Sequence, residues 1–137
     1  SLVERKSGYA VLAKVGHETA DLVSAAIIKG LTPLAAAVKT ITFDNGKEFA
    51  GHADIDEALG SHSYFAEPYS SGQRGSNENL NGLIRQYVPK KRPLSTVTDQ
   101  EIKMIQDRLN HRPRKRLGFK TPHEVFHALH KPVALRT

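Results

Sequence analysis

The hydrophobic period of this chain switches between about two and about 3.6 in its first half, and that switch restricts the folds open to it. Gly8 to Val15 alternates, placing Tyr9, Val11, Ala13 and Val15 on one face of a strand. Leu2 and Val3 read as the end of an earlier strand, joined to it by a Lys6-Ser7-Gly8 turn. Thr19 is an N-cap for a helix with Leu22, Val23, Ala26, Ile27 and Leu31 on its apolar stripe. Thr32-Pro33 restarts a short helical turn. A second cycle follows: a strand over 39–44, a helix from Glu48 to Leu59 stopped by Gly60, and a strand over Ser63 to Ala66. From Ser76 onward only helical periods remain. Leu80, Leu83, Ile84, Tyr87 and Val88 form one stripe, which Pro89 ends. Thr98 with Glu101, and Thr121 with Glu124, are capping boxes that open two more helices. Strands alternating with helices, then helices alone, give an α/β fold.

At 137 residues the chain is sized for one domain. Zero cysteines exclude a disulfide scaffold, a thiol nucleophile and any cysteine-ligated metal centre. No apolar run reaches the roughly 18 residues of a membrane span, and no secretory leader is visible, so a cytoplasmic protein without a membrane partner is expected. Ser1 stands where an initiator Met is expected, which suggests a fragment. The net charge of +6 is concentrated late in the chain. Residues 1–89 hold 8 Lys/Arg against 10 Asp/Glu, whereas residues 90–137 hold 12 against 4. Such a block, with Lys90-Lys91-Arg92 and Arg112 through Arg116, either is a solvated face or attracts a polyanion.

Two carboxylates stand out by position. Asp44 closes a predicted strand, where ligands bind in open α/β sheets, although Asp44-Asn45-Gly46 is also ordinary turn chemistry. Glu78 falls in the first turn of the Leu80–Val88 helix, where it either complements the helix dipole or serves a site. Glu78, Asn81 and Arg85 all fall off the apolar stripe, on one exposed edge facing a Ser/Gly-rich loop. Carboxylates from two elements suit a hard cation such as Mg²⁺, and two such ions clamp an in-line phosphoryl transfer.

Several stretches around these residues resemble the catalytic core of bacterial insertion-sequence transposases, in particular the insertion-sequence-thirty family, relatives of retroviral integrases. They are Thr42-Phe43-Asp44-Asn45-Gly46-Lys47-Glu48-Phe49, Tyr64-Phe65-Ala66 with Pro68-Tyr69, and the run from Gln73 to Gln86 that contains Glu78. Val3 to Ser7, Asn110-His111-Arg112-Pro113-Arg114-Lys115 and Leu117 to Pro122 share the resemblance, which therefore spans nearly the whole chain. It implies a ribonuclease-H-like fold with an Asp–Asp–Glu site for Mg²⁺ or Mn²⁺, two ions in the intact enzyme. Asp44 matches the second Asp and Glu78 the Glu, with 33 residues between them. Arg85 matches a basic residue that would meet DNA phosphate, and Lys90, Lys91, Arg92, Arg112, Arg114, Lys115 and Arg116 extend the expected DNA contact. The implied activity is phosphodiester hydrolysis at an element end followed by strand transfer into target DNA, with DNA and further copies of the chain as partners.

The resemblance makes residues 1–137 a single integrase-type core fragment with a basic helical part over 90–137. The first Asp would stand on a central strand ahead of Ser1. Its loss leaves strand edges unpaired and the fragment inactive alone. Asp21, on the first helix, is no substitute, and Gly72 stands where the family pattern has tryptophan. A non-catalytic DNA-binding or dimerisation module is the alternative. His123-Glu124-Val125-Phe126-His127 also matches the H-E-x-x-H pattern of zinc proteases, but Thr121, Pro122 and Glu124 equally make a helix start. His17, His52 and His62 read as surface or capping residues, and Tyr64, Phe65 and Tyr69 as core.

Overall fold

Extended, β-rich segments at the amino end pair first. β1 (Leu2–Val3) and β2 (Ala10–Val11) form an antiparallel hairpin, Leu2 opposite Val11 and Val3 opposite Ala10. This computed structural model describes residues 1–43, 49–66 and 75–130. The hairpin turn is tied by Glu4, whose carboxylate accepts the N–H groups of Lys6 (3.0 Å) and Ser7 (2.7 Å) and the Ser7 hydroxyl. β2 is far shorter than the predicted strand over Gly8 to Val15. Its outer edge meets side chains instead of a third strand: the Ala10 N–H donates to Asn110 Oδ1 (2.7 Å), Asn110 Nδ2 donates to the Ala10 carbonyl (2.9 Å), and the Leu12 N–H donates to Gln106 Oε1 (2.8 Å). Two strand residues advance about 6.6 Å and four helical residues about 6 Å, so amides at i and i+4 match strand groups at i and i+2.

α1 (Ala20–Leu31) begins at Thr19, whose hydroxyl accepts the Leu22 N–H as expected, and Thr32–Leu34 continues it as a 3-10 turn. Its buried face carries Ser24, Ile27 and Leu31, while Leu22, assigned to the stripe from sequence, is 44% exposed. The rotation follows from α2 (His52–Leu59), which starts four residues later than predicted. A Cβ on Gly51 would lie 2.1 Å from Ser24 Oγ and 3.2 Å from Ser24 Cβ, so glycine lets the two helices meet there without moving the serine side chain. Gly60 ends α2 in the left-handed conformation (φ 65°).

β3 (Thr40–Phe43) and β4 (His62–Phe65) pair in parallel, Thr40 with His62 through Phe43 with Phe65. Among the described residues the two pairs stay separate two-stranded sheets. Tyr64 (54% exposed) and Phe65 (41%) were expected in the core but are exposed: among the described residues β4 pairs on one edge only, and the rings of Phe43 (5.8 Å) and His52 (5.0 Å) cover Phe65 only in part, with His62 beside Tyr64 (4.9 Å). The start of β4 is held by Asp56 of α2, which accepts Ser61 Oγ (2.7 Å), Ser63 Oγ (2.8 Å) and the Ser63 N–H (3.0 Å).

α3 (Gly75–Ile84) is followed by a tightened turn through Val88, with Tyr87 N–H donating to the Ile84 carbonyl (2.9 Å). α4 (Asp99–Asn110) and α5 (Pro122–Leu129) open on Thr98 and Thr121, whose hydroxyls accept N–H groups of Glu101 and Glu124, each at 3.1 Å. The Thr98 box is only half closed, because the Glu101 carboxylate turns to Arg92. Two cores result. Val11, Ile27, Leu31, Ile41, Phe43, Ile55 and Leu59 fill one; Ala10, Leu80, Val88, Val97, Ile105 and Leu109 fill the other. Neighbouring residues Ala10 and Val11 thus serve opposite faces of one strand. Between α4 and α5, Gly118 (φ 65°) and Phe119 (φ 66°) are both left-handed, and for phenylalanine that costs about 1–2 kcal/mol.

Asn110→Leu is expected to destabilise the protein by about 2–4 kcal/mol, because both Ala10 backbone groups lose buried partners; a lowered urea midpoint at unchanged slope checks it. Partial burial pushes the Asp56 carboxyl up, but the Ser61 and Ser63 donors, with His52 nearby, outweigh it and hold it below its ordinary value. A depressed folded-state value stabilises the fold above the ordinary carboxyl range and is lost as pH falls through the folded value. The stability gap between the wild type and Asp56→Asn should therefore shrink below pH 3.8 in thermal melts.

Candidate functional site

α3 carries the described half of the expected carboxylate pair. Its inward residue Leu80 is 3% exposed and packs with Val88, Ile105 and Leu109, which turns Glu78, Asn79, Asn81 and Arg85 to solvent. That is the arrangement the apolar stripe requires. Glu78 lies in the first helical turn and, among the described residues, makes no hydrogen bond or ion pair. Arg85 follows seven residues on, just past the end of α3 and about 10 Å along its axis, and among the described residues its guanidinium is equally unengaged. Asn81 Oδ1 accepts the Ser1 hydroxyl (2.9 Å), so the edge between the two charges touches the amino end of the chain.

Asp44 directly follows Phe43, the last residue of β3, whose carbonyl accepts the Ala66 N–H (2.7 Å). Asp44 itself lies outside the described residues, as do Lys47, Glu48, Tyr69, Gly72 and Arg74. An exposed carboxylate such as Glu78 is a hard oxygen ligand free to take Mg²⁺ or Mn²⁺. Among the described residues no group of three or more His, Asp or Glu side chains is placed to hold a metal.

The basic residues divide by what their donors already meet. Lys90, Lys91 and Lys115 are exposed and, among the described residues, unpaired. Arg92 is spent inside the chain: it donates to Glu101 Oε1 (2.9 Å), lies 2.8 Å from Oε2, and also meets Thr96 Oγ1 (3.1 Å) and the Thr96 carbonyl (3.0 Å). The guanidinium donors keep the Glu101 carboxyl below its ordinary value, a shift that partial burial opposes. Arg116 donates to the carbonyls of Lys6 (3.1 Å) and Arg5 (3.4 Å), which pins the post-α4 turn to the hairpin. Arg112 reaches Gln86 Oε1 (3.3 Å) beyond α3. Arg114 is partly buried and donates to the Leu109 carbonyl at 3.5 Å.

His123, Glu124 and His127 are accounted for by the start of α5. Pro122 occupies its first turn, and the Thr121 hydroxyl also donates to Glu124 Oε1 (3.2 Å). The His123 ring stacks against His111 at 4.5 Å and lies 4.1 Å from the His127 ring, while Nδ1 of His127 faces the His123 carbonyl (2.9 Å). Burial, then the neighbouring His127 and His111, pushes His123 below its ordinary value. Sequence reasoning gave Asn110 no task beyond its motif. Its i, i+4 spacing from Gln106 was the available signal, but no periodicity identifies the strand edge that the two amides meet.

No protein-family model matches the chain. It is 46% identical over 123 residues to the transposase for insertion sequence element IS4351 of Bacteroides fragilis, spanning 90% of this chain and 38% of that protein. It is 42% identical over 127 residues to transposase InsI for element IS30A of Escherichia coli, spanning 92% and 33%, and 43% identical over 126 residues to the transposase for element IS1086 of Cupriavidus metallidurans, spanning 91% and 37%. The chain thus covers little more than a third of the length of these curated relatives. Among solved structures it is similar to the catalytic core domain of BIV integrase, with a TM-score of 0.67 and 22% identity over 93% of this chain and 83% of that one. It is also similar to a chain of the simian T-cell lymphotropic virus intasome bound to a PP2A regulatory subunit, with a TM-score of 0.66 and 21% identity over 98% and 48%. The fold is that of an integrase catalytic core, ribonuclease-H-like, as the sequence resemblance implied.

Elution from a heparin column checks the division of the basic residues. Lys91→Gln and Arg112→Gln should each elute at lower salt than the wild type, and Arg92→Gln should shift least because its guanidinium is already spent on Glu101 and Thr96.

Proposed function

The chain is a relative of insertion-sequence transposases over nine-tenths of its length, and on that premise we propose that it is part of the catalytic domain of a DNA transposase, whose whole enzyme carries out divalent-metal-dependent phosphodiester hydrolysis and strand transfer, while these 137 residues, with two of the three acidic residues, are inactive alone. The observation that carries this reading is Glu78. It is a carboxylate without a partner among the described residues, held out to solvent at the start of α3 by a buried stripe, within a stretch matching the relatives.

In this reading Asp44 and Glu78 hold magnesium or manganese, two ions in the intact enzyme. Carboxylate oxygens suit such ions, and the bound ions supply charge stabilisation to the attacking and leaving oxygens of an in-line displacement. The chain's own residues do the rest. Leu80, buried in the second core, fixes the face on which α3 presents Glu78. Arg85, further along the same edge, neutralises a phosphate of the DNA strand and orients it along the helix. Lys90, Lys91, Arg112, Arg114 and Lys115 extend the contact, while Arg92 and Arg116 support it from within by tying the segment before α4 and the turn after it to their neighbours. DNA is the partner, and a homo-oligomer is the assembled form. No described helix is long and apolar enough to cross a membrane.

Isothermal titration of the 137-residue chain with Mn²⁺ tests the metal reading: saturable binding is expected, and Glu78→Gln or Asp44→Asn should remove it. Metal binding indifferent to both substitutions, or absent beside tight DNA binding, favours a non-catalytic DNA-binding module. Arg85→Ala should leave the metal isotherm unchanged and reduce the salt dependence of DNA binding by about one phosphate contact.

A further inference from the structure

The turn after α4 closes a cavity of about 360 Å³ against the hairpin and α3, and the metal reading leaves it without a task. Val3, Leu80 and Leu83 give it an apolar part, Ser7 and Gly8 line it from the hairpin, Asn79 from α3, and Arg114, Lys115 and Arg116 from the turn; among the described residues no carboxylate lines it. Its walls are fixed before any ligand arrives. The Arg114 N–H donates to the Lys120 carbonyl (3.0 Å), and the Arg114 carbonyl accepts Leu117 (3.0 Å) and Phe119 (2.9 Å). The left-handed Gly118–Phe119 pair completes the turn, although Phe119 is 70% exposed. Arg116 clamps the turn onto the hairpin carbonyls.

Within these walls Arg114 is under-satisfied. Its Nε is buried with no hydrogen-bond partner, and its one contact, to the Leu109 carbonyl, is long at 3.5 Å. Burial, then the charges of Arg112 and Arg116, pushes its guanidinium below the ordinary value. Such a cation is stabilised by an anion that brings oxygen acceptors, and a guanidinium fork matches phosphate oxygens. Lys115 stands beside it unpaired, and Asn79 offers a neutral amide one residue after Glu78.

We propose that this cavity seats a backbone phosphate of a nucleic acid, with Arg114 and Lys115 as charged donors and the Asn79 amide as a neutral one. The inference rests on the DNA reading above and adds a fixed point: one phosphate locked against α3 sets the register of the strand relative to the helix that carries Glu78.

Diffuse charge and a built seat respond differently to substitutions that conserve charge. Duplex DNA affinity of the 137-residue chain is measured against salt for the wild type, Asn79→Ala, Arg114→Lys and Lys115→Gln, with circular dichroism confirming the fold. A seat requires Asn79→Ala and Arg114→Lys to weaken binding about tenfold at unchanged salt slope, and Lys115→Gln to lower the slope by about one contact. If Asn79→Ala and Arg114→Lys both bind as the wild type does, Arg114 only caps α4 and the proposal is overturned. Asn79→Ala is an exposed helix-surface change, so its result stands even if the Arg114 variant misfolds. A wild type that binds no duplex at low salt overturns the DNA reading itself. In that event, a melting temperature raised by pyrophosphate over chloride at matched ionic strength, in the wild type but not in Arg114→Lys, identifies a free phosphate as the ligand and also overturns the nucleic-acid assignment.

Discussion

The fold depends on one amide side chain paired with one strand residue. Asn110, 2% exposed at the end of α4, gives and takes a hydrogen bond with the backbone of Ala10, a hundred residues earlier in the chain. An unpaired N–H and C=O buried on a strand edge are costly, and a further strand would be the usual remedy. Here a helix supplies it, with Gln106 one turn earlier continuing the pairing to Leu12 and Lys14 reaching the Val97 carbonyl (2.9 Å). This bond docks the basic helical part onto the hairpin, so the second core can close around Ala10, Leu80 and Ile105.

That docking places the chemistry. With Leu80 drawn into the second core, α3 can present only its opposite side, and Glu78, Asn79 and Arg85 follow. Ile41 and Phe43, the inward residues of β3, belong to the first core, so the strand that leads into Asp44 is anchored independently of α3. The two carboxylates of the proposed site are therefore delivered by separate hydrophobic clusters, with the hairpin strand β2 contributing Val11 to one and Ala10 to the other. The turn after α4 depends on the same docking, because Arg114 follows Asn110 by four residues and Arg116 reaches back to the hairpin.

Basic charge was legible in the sequence, but its division of labour was not. Arg92 and Lys91 are neighbours in one basic run, yet Arg92 is held by Glu101 and Thr96 while Lys91 meets no partner among the described residues. Charge runs record how many cations a face holds, whereas which of them remain available depends on acceptors brought near by folding. Glu101 shows the same effect from the other side. Its capping-box spacing to Thr98 is correct and the Thr98 hydroxyl does its part, but the carboxylate is taken by a guanidinium nine residues earlier in the chain.

By itself the sequence determined what is local. The helix starts at Thr19, Thr98 and Thr121, the stop at Gly60, the strand from Thr40 to Phe43 and the outward edge of α3 follow from caps, turn residues and hydrophobic period, whose physics acts within a few residues. The resemblance across nearly the whole chain also pointed to the integrase-core fold. Tertiary structure decided the rest. It shortened β2 to two ladder residues because side chains of α4 satisfy its outer edge, and it rotated α1 toward Ser24 because Gly51 admits a close approach. It left Tyr64 and Phe65 exposed because, among the described residues, only a few neighbouring rings reach them and β4 pairs on one edge. Each of these outcomes rests on contacts between residues far apart in the chain, and hydrophobic period carries no information about which distant group will meet a given edge.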